Sequence, residues 1–461
     1  MVALITALIF AISEQTINNL FRDIVVSIEA DTKDYLIPDQ FIQIDMERSL
    51  SMMLRDIHIE KLTIEGYEAT MISPDSIDLD IKTLNLKLSF KYEYAINHLG
   101  DQGSARLEIL NSTLSTTAVS SDPSTIKFSP VNTKVKIGEL FIEVLRPKSV
   151  NQNWFFSMFK SDIKDLVSNM LKNSLNMAIE SINLKDTYIP ISNSGICFNY
   201  SLSHPLKVTN TMLEADFLGI FVQDSNPNYN PPIPKPKNFM TTNDQGIQIL
   251  ASDYIINSLS YSAYKLELLN FTITSSQLPI DFPFDLTTTI FGMIIPELIT
   301  EYGLGKPLAF SCIFAQPPEL IFADNPEWSV TVQASGFMEC QVLVESDIAL
   351  LLGISLISDS TLYLENWKLK GTINDIEIKN IECIAGTIKA ETRALKEFIN
   401  TFMKFYIDTL NKSFLDEGIE IPSYGRFNLT DSKMKSGSGY VYLLINPSIS
   451  FTLEDLINYL D

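Results

Sequence analysis

Apolar and polar residues alternate in "IDLDIKTLNLKLSFKYEY": Ile77, Leu79 and Ile81 share one face, and Leu84, Leu86, Leu88, Phe90 and Tyr92 share one after a slip at Lys82 and Thr83. A period of two predicts a long half-buried strand, and the slip predicts a β-bulge that bends and twists it. Elsewhere the period is that of a helix. Ser13 to Glu29 places Ile17, Leu20, Phe21, Ile24 and Ile28 on one face. The run from Asn153 to Asn183 carries a stripe through Phe155, Phe159, Ile163, Leu166, Met170 and Leu175. Strands then return as far as a proline-rich segment, "NPNYNPPIPKPKN" (Asn226–Asn238), which fits neither a helix interior nor a central strand because each proline removes a backbone donor. It reads as a semi-rigid linker.

After the linker the order repeats. Ser252 to Tyr264 is a short helix with Ser252 or Asp253 able to cap it, strands run from Lys265 to Ile388, and a long helix follows with Leu395, Phe398, Phe402, Tyr406 and Leu410 inward. Both long helices close alike, "LNMAIESINLKDTYIPI" reaching Pro190 and "LNKSFLDEGIEIPSY" reaching Pro422. Element order and this echo predict an internal duplication. The expected division is residues 13–225, a linker at 226–240, and residues 241–461. Residues 1–12 are a signal-peptide candidate because Val2 to Ile12 is apolar and too short to span a bilayer; a first strand buried in a core is the alternative.

Composition narrows the function. With 46% hydrophobic residues and a net charge of −22, the chain can build large cores but offers no basic block to neutralise phosphates, so nucleic acid is not an expected partner. The three histidines, His58, His98 and His204, have no partner at metal-ligand spacing, and alternation sets His58 outward on a strand. "SGSGY" at Ser436–Tyr440 lacks the spacing of a nucleophile elbow and reads as a turn before a strand; "GLGKP" at Gly303–Pro307 lacks that of a P-loop. No catalytic constellation, metal site or cofactor is expected. Cys312, Cys340 and Cys383 fall on strand-like segments, where neighbouring strands could be bridged; Cys340 with Cys383 is the pairing expected, and free thiols are the alternative.

The stretches "IQILASDYIINSLSYSAYKLELL", the proline segment before it, "IIPELITEYG" and "LNKSFLDEGIEIPSYGRFNLTDSKM" resemble the family of bactericidal/permeability-increasing protein, lipopolysaccharide-binding protein and cholesteryl ester transfer protein. The resemblance implies an α+β fold of two pseudo-repeated barrels, each a twisted antiparallel sheet wrapped around a long helix, joined by a central sheet in a boomerang. It also implies an apolar lipid pocket in each half. The expected function is then non-enzymatic binding or transfer of phospholipid or another acyl lipid, with transient contact to a membrane surface and a place in the secretory pathway. Candidate lipid contacts are Leu20, Ile24, Ile28, Phe159, Ile163, Leu166 and Met170 in the first half, and Ile255, Phe398, Phe402 and Tyr406 in the second; the same patterning also serves an ordinary core. The alternatives are recognition of a microbial envelope lipid and a structural protein with filled barrels. Two features depart from the family. Residues 111–182 hold no cysteine for its first-barrel disulfide, and "SFKYEYAINH" offers only Lys91 against Glu93 where endotoxin binders present a cationic tip.

Overall fold

The computed structural model describes residues 6–31, 36–45, 50–96, 99–146, 152–181, 183, 187–191, 194–227, 231–236, 240–242, 244, 246–278, 284–325, 327–365, 368–386, 388, 391–411, 419–420 and 427–449. The first half runs β1 (Leu8–Ser13), α1 (Glu14–Asp31), β2 (Leu36–Ile37), β3 (Gln40–Asp45), β4 (Leu50–Ile72), β5 (Ser76–Ile96), β6 (Leu99–Ser120), β7 (Phe128–Lys136), β8 (Glu139–Arg146), α2 (Gln152–Ser181), β9 (Tyr188–Ile191), β10 (Ile196–Asn199), β11 (Lys207–Val208), β12 (Met212–Phe217) and β13 (Ile220–Gln223). The second runs β14 (Ile247–Ser252), α3 (Asp253–Lys265), β15 (Phe271–Thr274), α4 (Thr288–Phe291), α5 (Pro296–Tyr302), β16 (Leu308–Phe314), β17 (Glu319–Ala323), β18 (Val330–Val344), β19 (Asp347–Glu365), β20 (Lys368–Gly386), α6 (Thr392–Leu410), β21 (Ile419–Glu420), β22 (Phe427–Gly437) and β23 (Tyr440–Ile449).

All strand pairs are antiparallel, and each half owns one large curled sheet: β2-β4-β5-β6-β7 with β3 and β8 at its margins, and β15-β16-β18-β19-β20-β21 with β17 beside β18. The slip read at Lys82 and Thr83 is real, because the β5–β6 register shifts between Ile81 and Leu84. Irregularities at Arg55/His58 and Ile59/Lys61 bend β4 likewise, as bulges do in strands of this length. A six-stranded sheet, β11-β12-β1-β14-β23-β22, joins the halves. Its third strand is β1, laddered to β12 on one side and β14 on the other. The apolar run likened to a leader core is thus, from Leu8 onward, a strand in the middle of the joining sheet. That is the alternative the sequence left open.

Among the described residues, four asparagines on helices or their flanks each both accept from and donate to the backbone of one strand residue. Asn18 of α1 accepts from Ala69 N and donates to Ala69 O, each at 2.8 Å. Asn183, just past α2, does the same to Phe128 (2.6 and 3.1 Å), Asn257 of α3 to Leu320 (2.9 and 2.6 Å), and Asn411, just past α6, to Ile373 (2.8 and 3.1 Å). Each amide replaces the neighbour that a strand's N–H and C=O would otherwise lack. The four clamps occur in the same order in both halves, one on the leading helix and one at the end of the long helix, so the duplication extends to side-chain chemistry.

The cystine expectation is corrected. Cys312 is bonded to Cys340, which lies directly opposite it in the β16–β18 register at a Cα separation of 4.1 Å. Cys383 sits on β20, beyond the intervening β19, so its thiol is two strands from Cys340 and stays free. Ser252 occupies the N-cap of α3, but its hydroxyl makes no capping bond. Pro296 opens α5, and Gly303, at φ +84°, follows its last residue, a conformation that favours glycine.

Candidate apolar interiors of the two barrels

In the first barrel α2 lies across the trough of the curled sheet, touching β3 at one margin and β7 and β8 at the other. Its inward face is Phe156, Phe159, Ile163 and Val167, spaced three and four residues apart and all buried. Opposite them stand Met52, Leu54 and Ile57 of β4, Leu88, Phe90 and Tyr92 of β5, Leu107 and Ile109 of β6, and Leu140 of β8. Leu166 and Leu171 pack on the margin of this cluster. Towards the joining sheet a second apolar cluster gathers Ala69, Ile77, Phe128, Ile179 and Phe217, with Leu175, Ile17 and Phe21 against it. Met170 lies on α2 between the two, half-buried.

Polar groups along this interior are few and mostly matched. Thr133 Oγ1 donates to Asn176 Oδ1 at 2.7 Å and shares a bond with Thr116 Oγ1 at 2.8 Å. Lys164 Nζ donates to the carbonyl of Gly138 at 2.7 Å, and Ser112 Oγ accepts from Gly138 N at 3.1 Å. The exception is Tyr92. Its ring meets Phe156 edge-on at 4.9 Å, it is 2% exposed, and its hydroxyl has no hydrogen-bond partner among the described residues. Burial pushes the phenol upward from its ordinary pKa, and the charge of Asp101 adds to the rise.

The second barrel differs inside. α6 packs directly on β20, and the α4–α5 segment joins the same apolar cluster: its Phe291, Ile295 and Leu298 are buried together with Leu286, Leu308, Leu350, Leu352, Ile378 and Leu395. Phe291 stacks edge-on to Phe398 at 5.1 Å and lies 5.2 Å from Phe310, while Phe284 lies 5.5 Å from Phe398.

The structure therefore brings Phe159, Ile163 and Leu166 together and sets Phe398 in the second interior. Two candidates move. Leu20 packs with Ile12, Ile247 and Ile445 on the joining sheet, because β1 and β14 run beneath α1 there. Ile255 packs with Tyr254, Cys197 and Ile220 on the β13-β10-β9 sheet, because α3 belongs to that surface. The side chains of Ile24, Ile28, Phe402 and Tyr406 lie outside the described residues. Sequence reasoning passed over Tyr92 as a site and over the α4–α5 insert; the first signal was a tyrosine in an otherwise aliphatic inward row.

Four cations of the first barrel are paired locally. Lys91 Nζ lies 2.7 Å from Asp56 Oδ2, Arg55 lies 3.6 Å from Glu93, Lys82 pairs with Glu68 at 2.9 Å, and Arg106 pairs with Glu60 at 2.8 Å. The hydrogen bond and charge of Lys91 hold the Asp56 carboxyl below its ordinary pKa. His58 points outward, as its place in the alternation predicts. No helix of the described residues is long and apolar enough to cross a membrane, and no metal-holding cluster occurs among them.

Comparison with known proteins agrees with this architecture. The chain is 21% identical over 410 residues to bactericidal permeability-increasing protein of Rattus norvegicus, covering 83% of this chain and 82% of that one. It is likewise 21% identical over 414 residues to lipopolysaccharide-binding protein of Mus musculus, covering 85% and 82%. A crystal structure of lipopolysaccharide binding protein superposes with a TM-score of 0.52 at 17% identity, covering 97% of this chain and 100% of the other, which shows a shared fold. The model of the "LBP / BPI / CETP family, C-terminal domain" matches residues 191–447, more than half of the sequence, and the chain belongs to that family.

Proposed function

We propose that this chain is a non-enzymatic lipid-binding and lipid-transfer protein that carries a phospholipid or similar acyl lipid in the interior of its first barrel. The observation that carries the reading is the succession of two apolar clusters along α2, from the Phe156–Val167 face to Leu175 and Ile179. A sixteen-carbon acyl chain buried there gains on the order of 10 kcal/mol before association costs, with no polar catalyst or cofactor required. Contact with a membrane is transient, as loading and unloading require, and export through the secretory pathway follows the family resemblance. On this reading residues 13–225 and 241–461, about the proline segment at 226–240, are two barrels of one ancestry.

A second reading, recognition of envelope lipopolysaccharide, is favoured by the kinship with the mouse lipopolysaccharide-binding protein. Against it, Arg55, Lys82, Lys91 and Arg106 of the first barrel already have carboxylate partners, which reduces their attraction for a phosphate-rich headgroup. Organic extraction of protein purified from its native source, followed by mass spectrometry, tests both. About one acyl lipid per chain is expected, a count set by the single guest-holding interior. Lipid A species would select the second reading, and a well-folded lipid-free protein would contradict both.

A further inference from the structure

Tyr92 is out of keeping with its surroundings. It stands on β5 in the inward row Leu88, Phe90, Tyr92, and it is among the most completely buried large side chains of the protein. A buried hydroxyl without a partner destabilises the fold relative to a phenylalanine ring of the same shape. The neighbouring strand is unusually slight beside it: β6 sets Gly103 opposite Tyr92 and Ala105 opposite Phe90. The ring thus borders a stretch of wall with almost no side-chain volume, next to the edge of Phe156 at the head of the α2 face. A polar atom with nothing to bond, beside a thin wall, on an apolar path, is what a binding site for a largely apolar guest with one acceptor requires.

We infer that the Tyr92 hydroxyl is the polar anchor of the first barrel, donating a hydrogen bond to an ester carbonyl of the guest lipid. The inference rests on the lipid-binding reading above and adds a chemical preference to it. The acceptor is an ester rather than a carboxylate, because the charge of Asp101 already adds negative potential at the Tyr92 hydroxyl, which disfavours a second anion there. The carbonyl comes within about 3 Å of the phenolic oxygen, with the acyl chain continuing along Phe159 and Ile163.

The test uses the full chain after delipidation and a matched pair of probes, dioleoyl phosphatidylcholine and its diether analogue, which lacks both carbonyls. The wild-type protein is expected to bind the diester about fivefold to tenfold more tightly. Tyr92→Phe should bind the two equally, at the affinity the wild type shows for the diether. The thermal midpoint of lipid-free Tyr92→Phe should equal or exceed that of the wild type, since the substitution removes an unpartnered hydroxyl. A diester preference that survives in Tyr92→Phe, or no preference in the wild type, overturns the anchor while leaving lipid binding standing. Failure of both proteins to bind either probe overturns the lipid-binding reading and the anchor together. A clear fall in midpoint would mean that the hydroxyl serves the fold, which also overturns the anchor.

Discussion

The two barrels share a plan and differ in what fills them. In the first, one long helix faces a curled sheet across an apolar trough that contains an unmatched phenol. In the second, α4 and α5 join the apolar cluster formed by the sheet and α6, aromatic rings of α4 and α6 meet there, and a cystine ties β16 to β18. Duplication supplied two related interiors, and the α4–α5 segment and the crosslink distinguish the second. On the proposed reading, guest binding belongs to the first barrel and rigidity to the second.

The widest expected separation comes from Leu298 of α5, which is fully buried. Leu298→Ala should destabilise the protein by about 2–5 kcal/mol through cavity formation, read by chemical denaturation, while bound lipid per chain stays unchanged. Loss of lipid would mean that the insert belongs to the binding site. Replacing Cys312 and Cys340 together by serine should lower stability by about 2–4 kcal/mol, since the bond closes a loop with a sequence separation of 28. Again no change in lipid occupancy is expected.

A pair of tryptophan substitutions sharpens the contrast. Leu352→Trp, in the tightly packed second interior, should cost about 1–3 kcal/mol by overpacking. Leu166→Trp, at the margin of the first, should lower bound lipid and leave the midpoint of the delipidated protein nearly unchanged. An equal fall in both midpoints would make the first interior an ordinary core. The smallest effect concerns the joining sheet, where burial lifts the Asp216 carboxyl above its ordinary range. A raised folded-state pKa favours the protonated form, so the native state gains stability as pH falls through that range and carries a penalty at neutral pH. Asp216→Asn should therefore stabilise the protein at pH 7 by about 1 kcal/mol or less, given partial exposure, with the advantage vanishing in acid. An advantage that grows on acidification would reverse the assignment.

Much of this was readable from periodicity. Alternation located the long strands and even the bulge at Lys82 and Thr83, because a one-residue slip moves every later side chain to the other face. Helical stripes located α1, α2, α3 and α6, and Phe159, Ile163 and Leu166 emerged as neighbours because spacing on one helix fixes them. What periodicity cannot do is tell one buried face from another. Leu20 and Ile255 are inward-facing on their helices, yet α1 and α3 turn those faces to the joining sheet and the small three-stranded sheet. The choice between Cys312 and Cys383 as the partner of Cys340 depended on strand order, which is a long-range property. The asparagine clamps were invisible for a related reason: an asparagine reads as a helix breaker or a surface residue until the strand it completes is known.

The most direct test of the central claim is the location of the guest. A phosphatidylcholine bearing a diazirine in its acyl chain, loaded into the full-length protein and photolysed, marks whatever lines the site. Peptide mapping is expected to place the adducts on α2 and on the β5–β6 wall around Tyr92, with α4 and α5 unlabelled. Adducts concentrated on α4, α5 or α6, with α2 unmarked, would contradict the division of labour between the barrels.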